Sequence, residues 1–113
     1  MISNKSNSKR FKQFNNSGSK YYAWRNRVIL GFGNECFFTG TKTDLELHHI
    51  DGNPNNNSPF NLIVVHYNVH AWISKLTPKE FWKGLKESKW LNNESLYDKL
   101  GVLQSKVINY AQI

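Results

Sequence analysis

The sequence predicts a small α+β domain, with two strands in the middle of the chain and helices on either side. Residues 45–50 alternate apolar and polar side chains, which is typical of a half-buried strand. Residues 62–65 are a short apolar run rich in β-branched side chains, and the polar stretch 51–60 between them is dense in turn-forming residues. With 113 residues, the chain has room for one modest domain.

Residues 1–20 are predicted to form a basic, flexible N-terminal arm. They are rich in Ser, Asn and Lys and contain no acidic residue, so they cannot bury enough apolar surface to fold alone. The arm is either a solvated tail or a segment whose cations, Lys9 and Arg10 among them, neutralise phosphates. It lacks the apolar run of a secretory signal, so we expect a protein of the cytoplasm.

The first predicted helix lies in residues 21–30, and Gly31 and Gly33 are expected to end it. Arg25 and Arg27 on this helix either belong to a solvated face or bind phosphate. The apolar residues of this segment recur at close to helical spacing: Tyr21, Trp24, Val28 and Leu30.

Helices are also predicted after the second strand, first over residues 67–76. Thr77 and Glu80 form a capping-box pattern around Pro78, which predicts the start of the next helix. Residues 77–113 are therefore expected to be a helical extension packed on residues 21–76. Its first helix should bury Phe81, Trp82, Leu85 and Trp90 and stop at Asn92–Asn93. One or two further short helices are indicated by Leu96, Leu100, Leu103 and Val107.

The charge of the chain indicates a polyanionic partner. Lys and Arg number 15 against 8 Asp and Glu, which gives a net charge of +7 and a pI near 9.6. Nucleic acid is the commonest such partner, although a basic protein without one has the same composition. The single cysteine, Cys36, excludes a disulfide within the chain, and no apolar run approaches the roughly 20 residues of a membrane span.

Three histidines are placed where they could meet. His48 and His49 end the first strand, and His70 lies on the helix after the second. Neighbouring strand residues point to opposite sides, so one histidine of the pair can face that helix. Facing imidazoles suit a divalent cation, and a neutral imidazole beside it is a suitable base for activating water. Phosphodiester hydrolysis needs both.

The segment LELHHIDGNPNNNSPFNLIVVHYNVH, residues 45–70, resembles the motif of the HNH, or ββα-metal, nuclease family. This family includes phage and intron homing endonucleases. The resemblance extends over about residues 21–76 and implies a two-stranded antiparallel hairpin and a helix that hold one metal ion. It further implies a metal-dependent DNA endonuclease in the cytoplasm of a bacterial or phage-infected cell.

Carried over residue by residue, the resemblance makes His48 and His70 the metal ligands and His49 the general base. Asn61 matches the asparagine that braces the loop and so orients the base. The expected cofactor is one divalent ion, with Mg²⁺ or Mn²⁺ favoured and Ni²⁺ or Zn²⁺ as alternatives. The expected substrate is double-stranded DNA, cut to leave 5′-phosphate and 3′-hydroxyl ends by a monomer or homodimer.

The chain departs from relatives that bind a structural zinc through two Cys-x-x-Cys pairs. Those positions read Cys36, Thr39, His66 and Val69 here, so we predict no structural zinc. An aromatic core is expected in its place: Trp24, Phe37, Phe38 and Trp72. A third ligand of some relatives is replaced by Ser74.

Two side chains near the motif have open roles. His66 either serves the structure, which we prefer, or shares a metal with His70 on one helix face. Asp51 either shapes the turn or orients an imidazole. Two further functions also stay open, namely a nucleic-acid-binding module without catalysis and a nuclease subunit of a larger assembly.

Overall fold

A computed structural model describes residues 18–87 and 96–111, and it confirms the α+β class. The expectations for Lys9, Arg10, Trp90 and Asn92–Asn93 lie outside the described residues. The elements are α1 (Gly18–Gly31), β1 (Leu45–His49), β2 (Leu62–His66), α2 (Tyr67–Ile73), α3 (Pro78–Lys86) and α4 (Leu96–Ala111), with a short 3₁₀ turn at Pro59–Asn61.

The two strands pair antiparallel and form a hairpin. Leu45 lies opposite His66, and His49 lies opposite Leu62. Residues 62–65 of β2 are fully buried, which explains why that strand reads as a continuous apolar run. The register places His48 and His49 at the end of the hairpin where the 50–61 loop leaves it.

Helices from both ends of the chain cover the hairpin. α1 packs against α4, and α4 also contacts β2 and the 3₁₀ turn. Gln104 of α4 is buried and donates hydrogen bonds from Nε2 to the carbonyls of Phe60 (3.2 Å) and Leu62 (3.1 Å). These bonds fix the loop end of β2 against the C-terminal helix.

The predicted capping box of α3 is confirmed. The Thr77 hydroxyl accepts from the Glu80 N–H, and the Glu80 carboxylate accepts from the Thr77 N–H. Phe81 and Leu85 are buried and Trp82 is partly buried. The one or two short helices expected after α3 form a single 16-residue helix, α4, in which Leu96, Leu100 and Val107 are buried and Leu103 is partly buried.

The predicted burial was wrong at Trp72. Trp72, expected in the aromatic core, is 47% exposed, because the seven-residue helix α2 buries the neighbouring Ile73. Leu30 of α1 is also exposed (56%), whereas Ile29 of α1 and Phe32 just after the helix are buried. A single helical step rotates a side chain by about 100°, so a residue next to a buried one can face solvent.

Two element boundaries also differ from prediction. α1 begins at Gly18, inside the segment expected to be a flexible arm, and α2 ends at Ile73 rather than at residue 76. The Ser74 N–H still bonds to the His70 carbonyl, which closes the last turn of α2. Among the helices of the described residues, none combines the length and the apolar character needed to cross a membrane.

Candidate active site

Two histidines of the motif, His48 and His70, come together at the loop end of the hairpin, and His49 follows His48 on β1. β1 delivers His48 and His49, and α2, which packs on both strands, delivers His70. The rings of His48 and His70 have their centroids 5.0 Å apart and are inclined by 65°. His48 is only 9% exposed, while His70 is half-buried. The fold therefore brings together the two side chains predicted to hold a metal.

Glu46 is a residue of the site that the sequence reasoning missed. Its Oε1 lies 2.5 Å from Nδ1 of His70, so the carboxylate engages that ring nitrogen and leaves Nε2 for another partner. A carboxylate behind a histidine fixes the ring orientation and makes the other nitrogen a stronger ligand. The signal was available, because Glu46 and His48 are two residues apart and so share one face of the strand.

His48 is neutral at physiological pH. Burial, followed by the nearby charges of His70 and His49, lowers its pKa from 6.5 to about 4, and Asp51 opposes this only in part. A neutral imidazole offers a lone pair, so His48 need not lose a proton to bind a cation near pH 7.

His49 is also held neutral, and one of its ring nitrogens has a partner. Burial lowers its pKa, although the hydrogen bond with Asn57 and the charge of Asp51 act in the opposite direction. Nε2 lies 2.9 Å from Oδ1 of Asn57 in the loop. A neutral imidazole in a fixed orientation has the properties of a general base.

Asn61 braces the loop that follows β1. Its Oδ1 accepts from the backbone N–H of Asp51 at 2.9 Å. Its Nδ2 donates to the Asp51 carboxylate and to the carbonyl of Asn56, both at 2.9 Å. Asn61 is 8% exposed, so these bonds satisfy a buried amide and tie the two ends of the loop together.

Asp51 shapes the loop. Its carboxylate accepts from the Asn53 N–H at 2.8 Å and from Asn56 Nδ2 at 2.9 Å, besides the bond from Asn61. Burial raises the pKa of Asp51, but these hydrogen bonds and the nearby His49 outweigh burial and lower it. The contacts favour the turn-forming role over direct orientation of an imidazole.

His66 has a structural role, as preferred from the sequence. Its Nδ1 accepts from the Asn68 N–H at 3.1 Å, so the side chain caps the N-terminus of α2.

Cys36 is buried near His66. Burial raises the pKa of its thiol, but hydrogen bonds with Thr39 and with backbone groups that include His66 outweigh burial and lower the pKa. Across residues 18–87 and 96–111, no three His, Cys, Asp or Glu side chains are grouped to hold a metal.

Arg25 and Arg27 do not lie on a solvated face, since both are half-buried. Arg25 donates from Nη2 to the carbonyl of Leu45 at 2.6 Å and so ties α1 to the start of β1. Nε of Arg27 is buried and has no hydrogen-bond partner among the described residues. Contact of either guanidinium with DNA stays a prediction.

Comparison of the chain with protein-family models, with curated proteins and with solved structures finds no match. The geometry of its own side chains therefore carries the functional proposal.

Proposed function

We propose that this chain is a divalent-metal-dependent DNA endonuclease of the HNH kind. The observation that supports it best is the pairing of His48 and His70, whose ring centroids lie 5.0 Å apart, with His49 next to His48 on β1. Glu46 orients His70, and Asn61 braces the loop beside His49.

The donor set of His48 and His70 fits one divalent ion. Two imidazoles bound at about 2.1 Å to one ion have ring centres about 5 Å apart when they occupy adjacent positions. His48 is neutral and His70 has Nε2 free of the Glu46 contact, so each ring can offer a lone pair. The resemblance favours Mg²⁺ or Mn²⁺, whereas two imidazole ligands by themselves suit the alternatives Ni²⁺ or Zn²⁺. Once bound, the ion would stabilise the charge that develops on the phosphate and on the leaving oxygen.

The chain's own contribution to the reaction comes from His49. Its ring takes a proton from a water molecule, and the resulting hydroxide attacks the phosphorus atom. The bond from phosphorus to the 3′ oxygen breaks, and that oxygen leaves as a hydroxyl after it takes a proton from solvent. The products carry 5′-phosphate and 3′-hydroxyl ends.

The charge of the protein favours DNA as the substrate. A net charge of +7 on 113 residues attracts a polyanion and releases counterions from it. Double-stranded DNA is the proposed partner, bound by a monomer or a homodimer.

Cleavage of supercoiled plasmid tests the proposal. The protein is incubated with plasmid and with Mg²⁺, Mn²⁺, Ni²⁺ or Zn²⁺ in turn, and each reaction is paired with one that contains excess chelator. We expect conversion to nicked or linear DNA with at least one ion and none with chelator. Salt-sensitive binding to DNA without cleavage under every condition would favour the non-catalytic nucleic-acid-binding module instead.

A further inference from the structure

We infer that Asn57 is a positioning residue that sets the tautomer of His49, so that Nδ1 and not Nε2 is the nitrogen that accepts the proton. The inference rests on the proposed function for the role of His49 and goes beyond it by naming the reacting nitrogen and the side chain that selects it. In the sequence, Asn57 belongs to the loop dense in turn-forming residues and to the segment that resembles the HNH motif, and no separate role is expected of it.

The contact itself selects the tautomer. Oδ1 of Asn57 lies 2.9 Å from Nε2 of His49. An amide oxygen can only accept a hydrogen bond, so Nε2 must carry the proton. In a neutral imidazole the other nitrogen then has the lone pair, which leaves Nδ1 as the base.

The surroundings of Asn57 indicate that its amide does not serve stability alone. Nδ2 of Asn57 is buried and has no hydrogen-bond partner among the described residues. A buried donor without a partner destabilises the folded state, and an apolar side chain of similar size would avoid that cost. The amide thus makes one favourable contact, the hydrogen bond of Oδ1 with His49, while its unpartnered Nδ2 lowers the stability of the folded state.

The loop fixes the position of Asn57 from both sides. On one side the carbonyl of Asn56 accepts from Asn61 Nδ2 at 2.9 Å, and on the other the N–H of Ser58 donates to the Asn56 side chain at 3.2 Å. Asn61 therefore acts on His49 through the loop and through Asn57, rather than by touching the imidazole. This gives a physical route for the orienting role expected of Asn61.

The experiment compares Asn57→Leu and Asn57→Asp with the parent protein. Asn53→Leu, in the same loop but exposed, is the matched control. The protonated ring nitrogen of His49 is identified from two-bond ¹H–¹⁵N correlation spectra of the metal-free proteins at pH 8, with His49→Ala used to assign the signals. Plasmid cleavage gives kcat and KM for each variant, and urea unfolding gives their stability.

We expect the proton on Nε2 in the parent, in Asn53→Leu and in Asn57→Asp, because a carboxylate oxygen also accepts from Nε2. In Asn57→Leu the two tautomers should mix, kcat should fall about 100-fold with KM unchanged, and stability should not fall. Asn57→Asp should keep at least a tenth of the parent kcat.

Several outcomes overturn the inference. The inference is wrong if His49 of the parent protein carries its proton on Nδ1, whether or not the parent cleaves DNA. It is also wrong if Asn57→Leu keeps the parent tautomer or the parent kcat. If Asn57→Leu fails to fold, Asn57→Asp provides the test, and a His49 without the proton on Nε2 in that variant overturns the inference. A parent protein that shows the expected tautomer but does not cleave DNA with any of the metals tested overturns the proposed function instead.

Discussion

Glu46 Oε1 lies 2.5 Å from His70 Nδ1, so a carboxylate on β1 holds the histidine of α2. His48, two residues after Glu46 on the same side of β1, faces the His70 ring. The contact joins β1 to α2 across residues that are 24 apart in the chain. It fixes which nitrogen of His70 is left for a ligand. The candidate metal site is therefore supported by a residue outside the histidine set.

Replacement of Glu46 should weaken metal binding. Glu46→Ala removes the hydrogen-bond acceptor of His70, and we expect the Kd for Mn²⁺ to rise about 10- to 100-fold in isothermal titration calorimetry. Glu46→Gln keeps an acceptor without the charge and should have a smaller effect. Glu35→Ala is the control, since Glu35 pairs with Lys42 at the surface. An unchanged Kd in Glu46→Ala would show that the carboxylate does not support the ligand.

Removal of the proposed base should separate cleavage from binding. His49→Ala is expected to reduce the rate of plasmid cleavage by about 100-fold or more, because the water loses its proton acceptor. Affinity for Mn²⁺ and for DNA should stay within about twofold of the parent, an expectation that follows from His49 being a base and not a ligand. His66→Asn, which retains a side chain able to cap α2, is the matched histidine control. Normal cleavage by His49→Ala would refute the assignment.

The stability of the metal-free protein should fall in mild acid. Burial holds the folded-state pKa of His48 at about 4, below its ordinary value of 6.5, so the unfolded chain binds more protons between these values. The stabilisation is therefore complete above pH 6.5 and is lost as the pH falls toward 4. We expect a loss of about 2 kcal/mol between pH 7 and pH 5 from His48, measured by urea unfolding.

The depressed pKa of His49 adds a loss of the same sign. His48→Gln should consequently show a shallower dependence on pH than the parent, whereas His66→Asn should match the parent. Parallel curves for His48→Gln and the parent would mean that His48 is not the group that titrates.

Gln104 should contribute to stability through its two backbone bonds. Gln104→Leu has a similar size but leaves the carbonyls of Phe60 and Leu62 without their donor, so we expect a loss of about 1 to 3 kcal/mol in the free energy of unfolding. Ser105→Ala, which loses only a bond to its own helix at Gly101, should change it by less than about 0.5 kcal/mol. Equal effects of the two variants would argue against the cross-link.

The two arginines of α1 should respond differently to neutralisation. Arg25→Gln is expected to lower stability, because Nη2 of Arg25 bonds to the Leu45 carbonyl. Arg27→Gln is expected to reduce the slope of log affinity for DNA against log salt by about 0.9 if Arg27 neutralises one phosphate. Filter binding over a range of salt concentrations measures the slope, and an unchanged slope would remove Arg27 from the DNA interface.

Local patterns predicted the hairpin and the capped helix correctly. The alternation that ends at His49 and the apolar run from Leu62 specify strands on their own, and the residues around Pro78 specify a helix start, because each signal lies within a few residues. The predicted burial of Trp72 was wrong because helical phase depends on which neighbour the helix packs against.

The residues that support the site were harder to find. Glu46 looks like an outward-facing charge until His70 is placed over the same face of β1. Asn57 is one of several asparagines in the loop, and asparagine is a common turn residue, so only the geometry of the loop distinguishes Asn57 from the others. Gln104 acts on a carbonyl 42 residues away in the chain, which no local pattern reports.

The hairpin also has a consequence for the order in which the molecule folds. The bond between His49 and Asn57 spans 8 residues and the Glu46–His70 contact spans 24, whereas Gln104 reaches back over more than 40 to Phe60. Short loops lose less chain entropy on closure, so contacts local in sequence form more readily than distant ones. We therefore expect the contacts of His49 and His70 within the central segment to form before the C-terminal helix packs against it.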